Sequence, residues 1–158
     1  MRVEAVAVAS AEKPQLWTEL QAYIAEMTAY VDIAPVNGAF EYPAFPSYWR
    51  DDNRWPFWAV ADGARAGFAL LRRDADGSMV MAEFYIRPDF RRTGVGLSFA
   101  RQLFARYPAT WVLSEFRTNR AAVAFWRRAI EGYRYKERVY VGGMGTERVE
   151  QRVIVPPR

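Results

Sequence analysis

The sequence predicts an α/β (α+β) fold in a single domain covering residues 1–158. Three observations carry this reading. Strand-like runs are joined by the turn dipeptides Asp62-Gly63 and Asp76-Gly77. Apolar residues recur at helical spacing in two long stretches, Leu16 to Tyr30 and Val95 to Phe104. Finally, 51% hydrophobic and 16% aromatic residues can fill a real core, in a chain too short to divide comfortably.

The elements follow in order. Val3 to Val8 alternates as a first strand does. Pro14 suits the first turn of a helix whose apolar face is Leu16, Leu20, Tyr23, Ile24, Met27 and Tyr30. From Val31 to Trp55 the prolines and Gly38 break the pattern between many aromatic residues, so this stretch is a long aromatic loop or contains a short helix. Phe57 to Ala61, Ala66 to Arg72 and Met79 to Arg87 then form an antiparallel meander around the two Asp-Gly turns. After Pro88 the chain passes through Arg91-Arg92-Thr93-Gly94-Val95-Gly96 into a helix with the stripe Val95, Phe99, Ala100, Leu103 and Phe104, ended by Tyr107-Pro108. Thr110 to Phe116 is another strand, and Asn119 caps a helix that Gly132 stops. Tyr133 to Val141 and Glu147 to Val155 close the fold as two strands around Gly142-Gly143.

Composition removes whole classes of chemistry. The chain has no cysteine and no histidine, which excludes disulfides, thiolate or imidazole metal sites, cysteine nucleophiles and serine–histidine catalysis. No metal site is expected. Met1 to Ala11 lacks the long apolar core of a signal peptide, and no later run is apolar for long enough to span a bilayer. The expectation is a soluble, cytoplasmic protein without membrane contact. The net charge of +4 is almost all arginine, with many arginines between Arg87 and Arg138, so an anionic ligand or an arginine-biased solvated surface accounts for it.

One stretch carries chemistry. A strand ends in Pro88, and two arginines and two glycines follow at the very start of a helix. A helix N-terminus has unpaired amides and about half a positive charge, and glycines let an anion approach them closely. The alternative is a tight strand-to-helix turn that needs positive φ. No Lys-Ser/Thr pair follows the glycines as in a P-loop, and the third glycine of a dinucleotide fingerprint is missing.

Ile86-Arg87-Pro88 with Arg91-x-x-Gly94-x-Gly96 resembles the acyl-CoA-binding motif of the GNAT superfamily of N-acyltransferases. Asn119, Ala122, Phe125 and Trp126 sit where that superfamily places its second motif helix, and the element order is similar over roughly the whole chain. Tyr42-Pro43, Tyr48-Trp49 and Gly67-Phe68-Ala69-Leu70 resemble a subgroup of predicted bacterial acetyltransferases. The resemblance implies a mixed, mostly antiparallel sheet of six or seven strands flanked by about four helices. Its strands ending near Arg87 and Phe116 would run parallel and splay to admit CoA. Phe84 and Ile86 would pair with pantetheine, and Arg91, Arg92, Thr93, Gly94, Val95, Gly96 and Leu97 would hold the pyrophosphate. Asn119, Phe125 and Trp126 would line the far side.

The reaction so implied is acetyl transfer from acetyl-CoA to a primary amine of a small molecule or peptide by direct attack. An alkylamine with a pKa near ~10 is mostly protonated, so a base is useful. Glu83, expected on the strand face shared by Met81 and Tyr85, is the candidate, with a structural or solvated carboxylate as the other reading. The family's tyrosine acid is replaced by Trp126, which leaves Tyr133, Tyr135 or water to protonate the thiolate. A strand N–H near Ile86 would stabilise the oxyanion. Tyr42, Tyr48 and Trp49 are candidates to wall the amine pocket, with Glu41, Asp51 or Asp52 drawing in a cation, unless the rings simply pack over the sheet edge. Two other classes stand beside the enzyme: a catalytically silent acyl-CoA-binding module and a basic nucleic-acid binder, the latter ranked last. The closing strands leave room for a homodimer.

Overall fold

A computed structural model describes Met1–Arg158. Its strands are β1 (Val3–Ala7), β2 (Arg54–Ala61), β3 (Ala64–Arg73), β4 (Met79–Ile86), β5 (Thr110–Phe116), β6 (Arg134–Val141) and β7 (Glu147–Ile154). They form one seven-stranded sheet in the order β1-β2-β3-β4-β5-β7-β6, antiparallel except where β4 meets β5. The helices are α1 (Lys13–Met27), α2 (Ser47–Arg50), α3 (Val95–Arg106) and α4 (Arg120–Ala129). The expected mixed sheet and helix complement are therefore present. The short helix inside the aromatic stretch is α2, and α1 ends at Met27 rather than Tyr30, with a turn over the next three residues. No helix is long and apolar enough to cross a membrane.

Local chemistry explains the elements. Asp62 and Gly63 have φ of 48° and 82°, both positive as a two-residue type I′ hairpin requires. The turn is tied to the chain's start, because Arg2 donates its N–H to the Asp62 carboxylate at 2.8 Å and accepts the Asp62 N–H at its carbonyl. Leu16, Leu20 and Ile24 form the buried stripe of α1, and Asn119 caps α4 by accepting the Ala122 N–H at 3.2 Å.

The sheet separates two apolar layers. On one face Phe57, Ala69, Leu71, Met79, Trp111 and Leu113 pack against Val95, Phe99, Leu103 and Phe104 of α3 and Trp126 of α4. On the other, Trp58, Phe68, Leu70 and Tyr85 pack against α1 and Tyr48. β3 and β4 approach closely at Gly67, where a Cβ would lie 2.0 Å from the Tyr85 carbonyl oxygen. Gly67→Ala must push the two strands apart. A stability loss of at least ~1–3 kcal/mol is expected, as for other overpacked sites, and a denaturant midpoint measurement checks it.

A β-bulge in β4 alters the expected facing. Leu71 pairs with Met81 and Leu70 with Glu83, so Ala82 is an extra residue. Met81 thus belongs to the α3–α4 layer, whereas Glu83 lies beyond the bulge on the α1 face with Tyr85. The expectation that Glu83 shares a face with Met81 is corrected: one inserted residue breaks the two-residue alternation on which it rested.

Candidate active site

The parallel pairing of β4 with β5 is brief. Met79 pairs with Trp111 and Val80 with Val112, and no pairing follows, although both strands continue. Beyond the bulge, Arg87 donates its N–H to Ala66 on β3, which makes Ile86 and Gly67 a pair whose backbone groups point away from each other. By alternation, the N–H and C=O of Phe84 and Ile86 face the gap. Arg91 Nε already donates to the Ile86 carbonyl at 2.8 Å, leaving that oxygen's second lone pair available.

At the open end of β4, a 3₁₀ turn over Pro88–Phe90 leads into the glycine loop. Arg92 and Gly94 have φ of 60° and 88°, alternate left-handed residues of the kind that gather successive amides into a concave nest. The amides of Arg92, Thr93, Gly94, Gly96 and Leu97 donate to no protein acceptor, whereas Ser98 donates to Gly94 and Arg91 to Pro88. Five unpaired donors at the start of a 12-residue helix make an anion site. Gly94 is needed for its left-handed backbone. Gly96 serves packing rather than ligand approach, because a Cβ there would lie 3.1 Å from the Phe125 ring and 3.2 Å from the Ile86 side chain.

Arg91 and Arg92 differ in role. Arg91 also donates to both carboxylate oxygens of Glu26 on α1, at 2.9 and 2.8 Å, so its guanidinium braces the loop against α1. Arg92 has no acidic partner. Several second-half arginines are neutralised: Arg87, Arg117, Arg127 and Arg138 face Glu19, Glu147, Glu137 and Glu150. Arg101, Arg106 and Arg158 share an open groove with Gly94 along α3 and keep positive potential beside the loop.

A cavity of about 80 Å³ lies where β4 and β5 part. Tyr23, Met27 and Glu83 line it from the α1 side, and Phe84, Asn119, Ala122 and Trp126 from the α4 side, with Ser114, Glu115 and Phe116 along β5. Glu83 is held by two phenols: Tyr23 donates to Oε1 at 3.0 Å and Tyr42 to Oε2 at 2.6 Å. Burial pushes the Glu83 carboxyl above the usual carboxylate range, while these two hydrogen bonds pull it back. Burial and the neighbouring Glu83 charge raise both phenols, so each stays a donor.

The other sequence candidates are distributed unevenly. Phe125 packs between Phe84, at 5.4 Å, and Gly96, while Trp126 sits edge-on to Phe84 at 4.8 Å and reaches the cavity. Tyr133, proposed from sequence as an acid, packs on Phe104 with centroids 6.1 Å apart and does not line the cavity. Tyr48 is buried in the α1 layer, and its hydroxyl accepts from Arg54. Trp49 donates its indole N–H to the Val8 carbonyl and stacks edge-on with Phe45. These two rings hold the aromatic segment onto β2 and α1, the packing role that the sequence offered as the other reading; Tyr42 alone of the three reaches Glu83. Sequence reasoning missed Tyr23, Ser114, Glu115 and Arg148. A signal for Glu115 was present, because it continues the buried alternation of Trp111 and Leu113. Tyr23 carried none beyond its place in the apolar stripe.

The gap thus has a loop of unpaired amides at its mouth and a tyrosine-held carboxylate inside. Residues 18–130 match the model of the Acetyltransferase (GNAT) family. The chain belongs to this family. Among solved structures, it is similar to the ribosomal-protein-S18-alanine N-acetyltransferase from Escherichia coli, at 15% identity and a TM-score of 0.64 over 99% of this chain and 96% of that one. It also resembles the ribosomal L7/L12 alpha-N-protein acetyltransferase RimL in complex with coenzyme A, at 12% identity and 0.70 over 99% and 96% of the two chains. A spermidine N-acetyltransferase chimera from Vibrio cholerae and hSSAT is similar at 13% identity and a TM-score of 0.66 over 98% of this chain and 96% of that one. These likenesses establish the fold. No curated protein sequence gives a significant match.

Proposed function

We propose that the protein is a cytoplasmic N-acetyltransferase that moves an acetyl group from acetyl-CoA to a primary amine of a small molecule or peptide. The observation that carries this is Glu83, held by Tyr23 and Tyr42 at the gap between β4 and β5. The pyrophosphate of acetyl-CoA rests on the unpaired amides from Arg92 to Leu97, with Arg92 beside it. Pantetheine runs along β4 and bonds the gap-facing groups of Phe84 and Ile86. A gap-facing N–H of β4 polarises the thioester carbonyl. The amine reaches that carbon from the α1 face, where Glu83 takes its proton directly or through a water. A free nitrogen lone pair then attacks, and no covalent enzyme intermediate is needed.

A binding-only module is favoured by one observation, the indole of Trp126 at the cavity, which cannot act as an acid. The nucleic-acid reading loses ground because so many arginines are paired with glutamates. Calorimetry with acetyl-CoA and label transfer to a broad amine panel separate the readings. Binding with transfer supports the enzyme, binding without transfer the module, and absence of both defeats the proposal.

A further inference from the structure

The proposed reaction leaves one buried carboxyl without a task or an ionic partner, since Glu150 is paired with Arg138 and Arg152. Glu115 lies on β5, on the same face as Trp111 and Leu113, and is 5% exposed. Gln151 of β7 donates to its Oε1 at 2.6 Å. Its Oε2 is buried and receives no hydrogen bond, and the Oε1 of Gln151 is likewise buried and unpaired. Glu115 and Glu83 line the same cavity from opposite strands of the parted pair and from opposite faces of the sheet. On the α4 side, the neighbours of Glu115 in the cavity are Met81, Phe84, Asn119, Ala122 and Trp126, none of which titrates near neutrality.

We propose, building on the acetyl-transfer reading above, that Glu115 is the acid that protonates the departing CoA sulfur. Leaving a buried carboxylate oxygen unpaired is costly, and a proton on it lowers that cost by turning the oxygen into a donor beside the cavity that Glu115 lines. The amine nitrogen attacks the thioester carbon, a C–N bond forms, and Glu83 accepts the proton that nitrogen loses. The C–S bond breaks with its electron pair going to sulfur. The O–H of Glu115 Oε2 delivers its proton there, giving the CoA thiol. Glu115 is left as a carboxylate and is recharged from solvent, so one proton passes in net from amine to thiol. Base and acid stand on opposite faces of the sheet, and the thioester lies in the opening between them.

The electrostatic surroundings suit an acid. Gln151 faces Glu115 from β7, Glu137 from β6 and Arg127 from α4, where Arg127 is itself paired with Glu137, while Arg148 acts through the sheet from the other face, where it donates to Ser114. Burial, reinforced by Glu137, outweighs the hydrogen bond from Gln151 and the two arginines, and raises the carboxyl to about 7. The group is therefore part protonated at neutral pH and available to give that proton away.

The test compares the whole protein with Glu115→Gln, which mimics the neutral acid in shape, and with Glu115→Asp, which keeps an acid. Acetyl-CoA affinity by calorimetry and kcat against pH with an accepted amine are measured for each. Wild-type kcat should fall above pH about 7, as Glu115 loses its proton. Glu115→Gln should lower kcat roughly 100-fold, keep acetyl-CoA affinity within about twofold and lose the alkaline fall, which Glu115→Asp should restore. A second readout needs no substrate. The raised carboxyl makes the native state hold a proton that the unfolded chain releases, so wild-type stability should decline as pH rises from about 4.5 through 7, and Glu115→Gln should decline less steeply, keeping only the share that the raised Glu83 contributes. Unchanged kcat and alkaline limb in Glu115→Gln overturn the acid role while leaving acetyl transfer intact. Lost acetyl-CoA affinity in that variant also overturns it, by making Glu115 structural. A wild-type protein that transfers no acetyl group removes the underlying reading instead.

Discussion

Gly94→Asp is expected to abolish acetyl-CoA binding. The residue sits at φ 88°, where an L side chain strains the backbone by about 1–2 kcal/mol, and its N–H belongs to the unpaired set proposed to receive the pyrophosphate. A carboxylate there meets the ligand's negative charge at close range. At ~4 Å and an effective dielectric near 20, each such charge pair costs on the order of 4 kcal/mol, about a thousandfold in affinity. Nothing lies within 4 Å of a Cβ at this position, so crowding contributes little and charge dominates. Gly94→Ala is the matching control. It shares the backbone strain without the charge and should lose no more than roughly tenfold in affinity. Calorimetric titration reads both, and an aspartate variant that still binds with wild-type affinity would place the phosphates elsewhere.

Glu83→Gln should lower kcat by about 10²–10⁴ with acetyl-CoA affinity unchanged, the range expected when a positioned base is removed. The pH profile carries the sharper information. A base works ionised, so wild-type kcat/KM should fall as pH drops through the Glu83 pKa, which burial holds above the ordinary carboxylate range. The glutamine variant should lack that acidic limb. Tyr42→Phe removes a hydrogen bond that favours the carboxylate form, so its acidic limb should move to higher pH. A Glu83→Gln enzyme with wild-type kcat would show that the amine arrives already deprotonated.

Much of the fold was legible because its signals are local. Asp62-Gly63 specifies a hairpin by backbone conformation alone, and the stripes of α1 and α3 follow from side-chain spacing. The glycine loop was legible for the same reason, since amides at a helix start are donors whatever surrounds them. The facing of Glu83 was not. It depends on the bulge at Ala82, which arises from how β4 registers against β3, a long-range property with no mark in the residues 79–86 themselves. Tyr23 was hidden differently: its ring belongs to the α1 stripe, and only tertiary packing reveals that its hydroxyl reaches Glu83. Gly96 was assigned to the right motif for a different reason, as its missing Cβ makes room for Phe125 and Ile86. Tyr48 and Trp49 show the limit of reading aromatic residues as pocket walls, because large rings satisfy core packing at least as readily.

The bulge in β4 has an evolutionary corollary. Point substitutions at Ala82 would leave the strand's residue count intact, and with it the direction in which Glu83 points. Deleting Ala82 would restore strict alternation with Glu83 directly after Met81, and the carboxylate would still face Tyr23 and Tyr42 on the α1 side. A homologue without the extra residue would therefore keep the carboxylate on the same side, and sequences aligned from Met79 without a gap there would match Glu83 to positions on the wrong side of the protein.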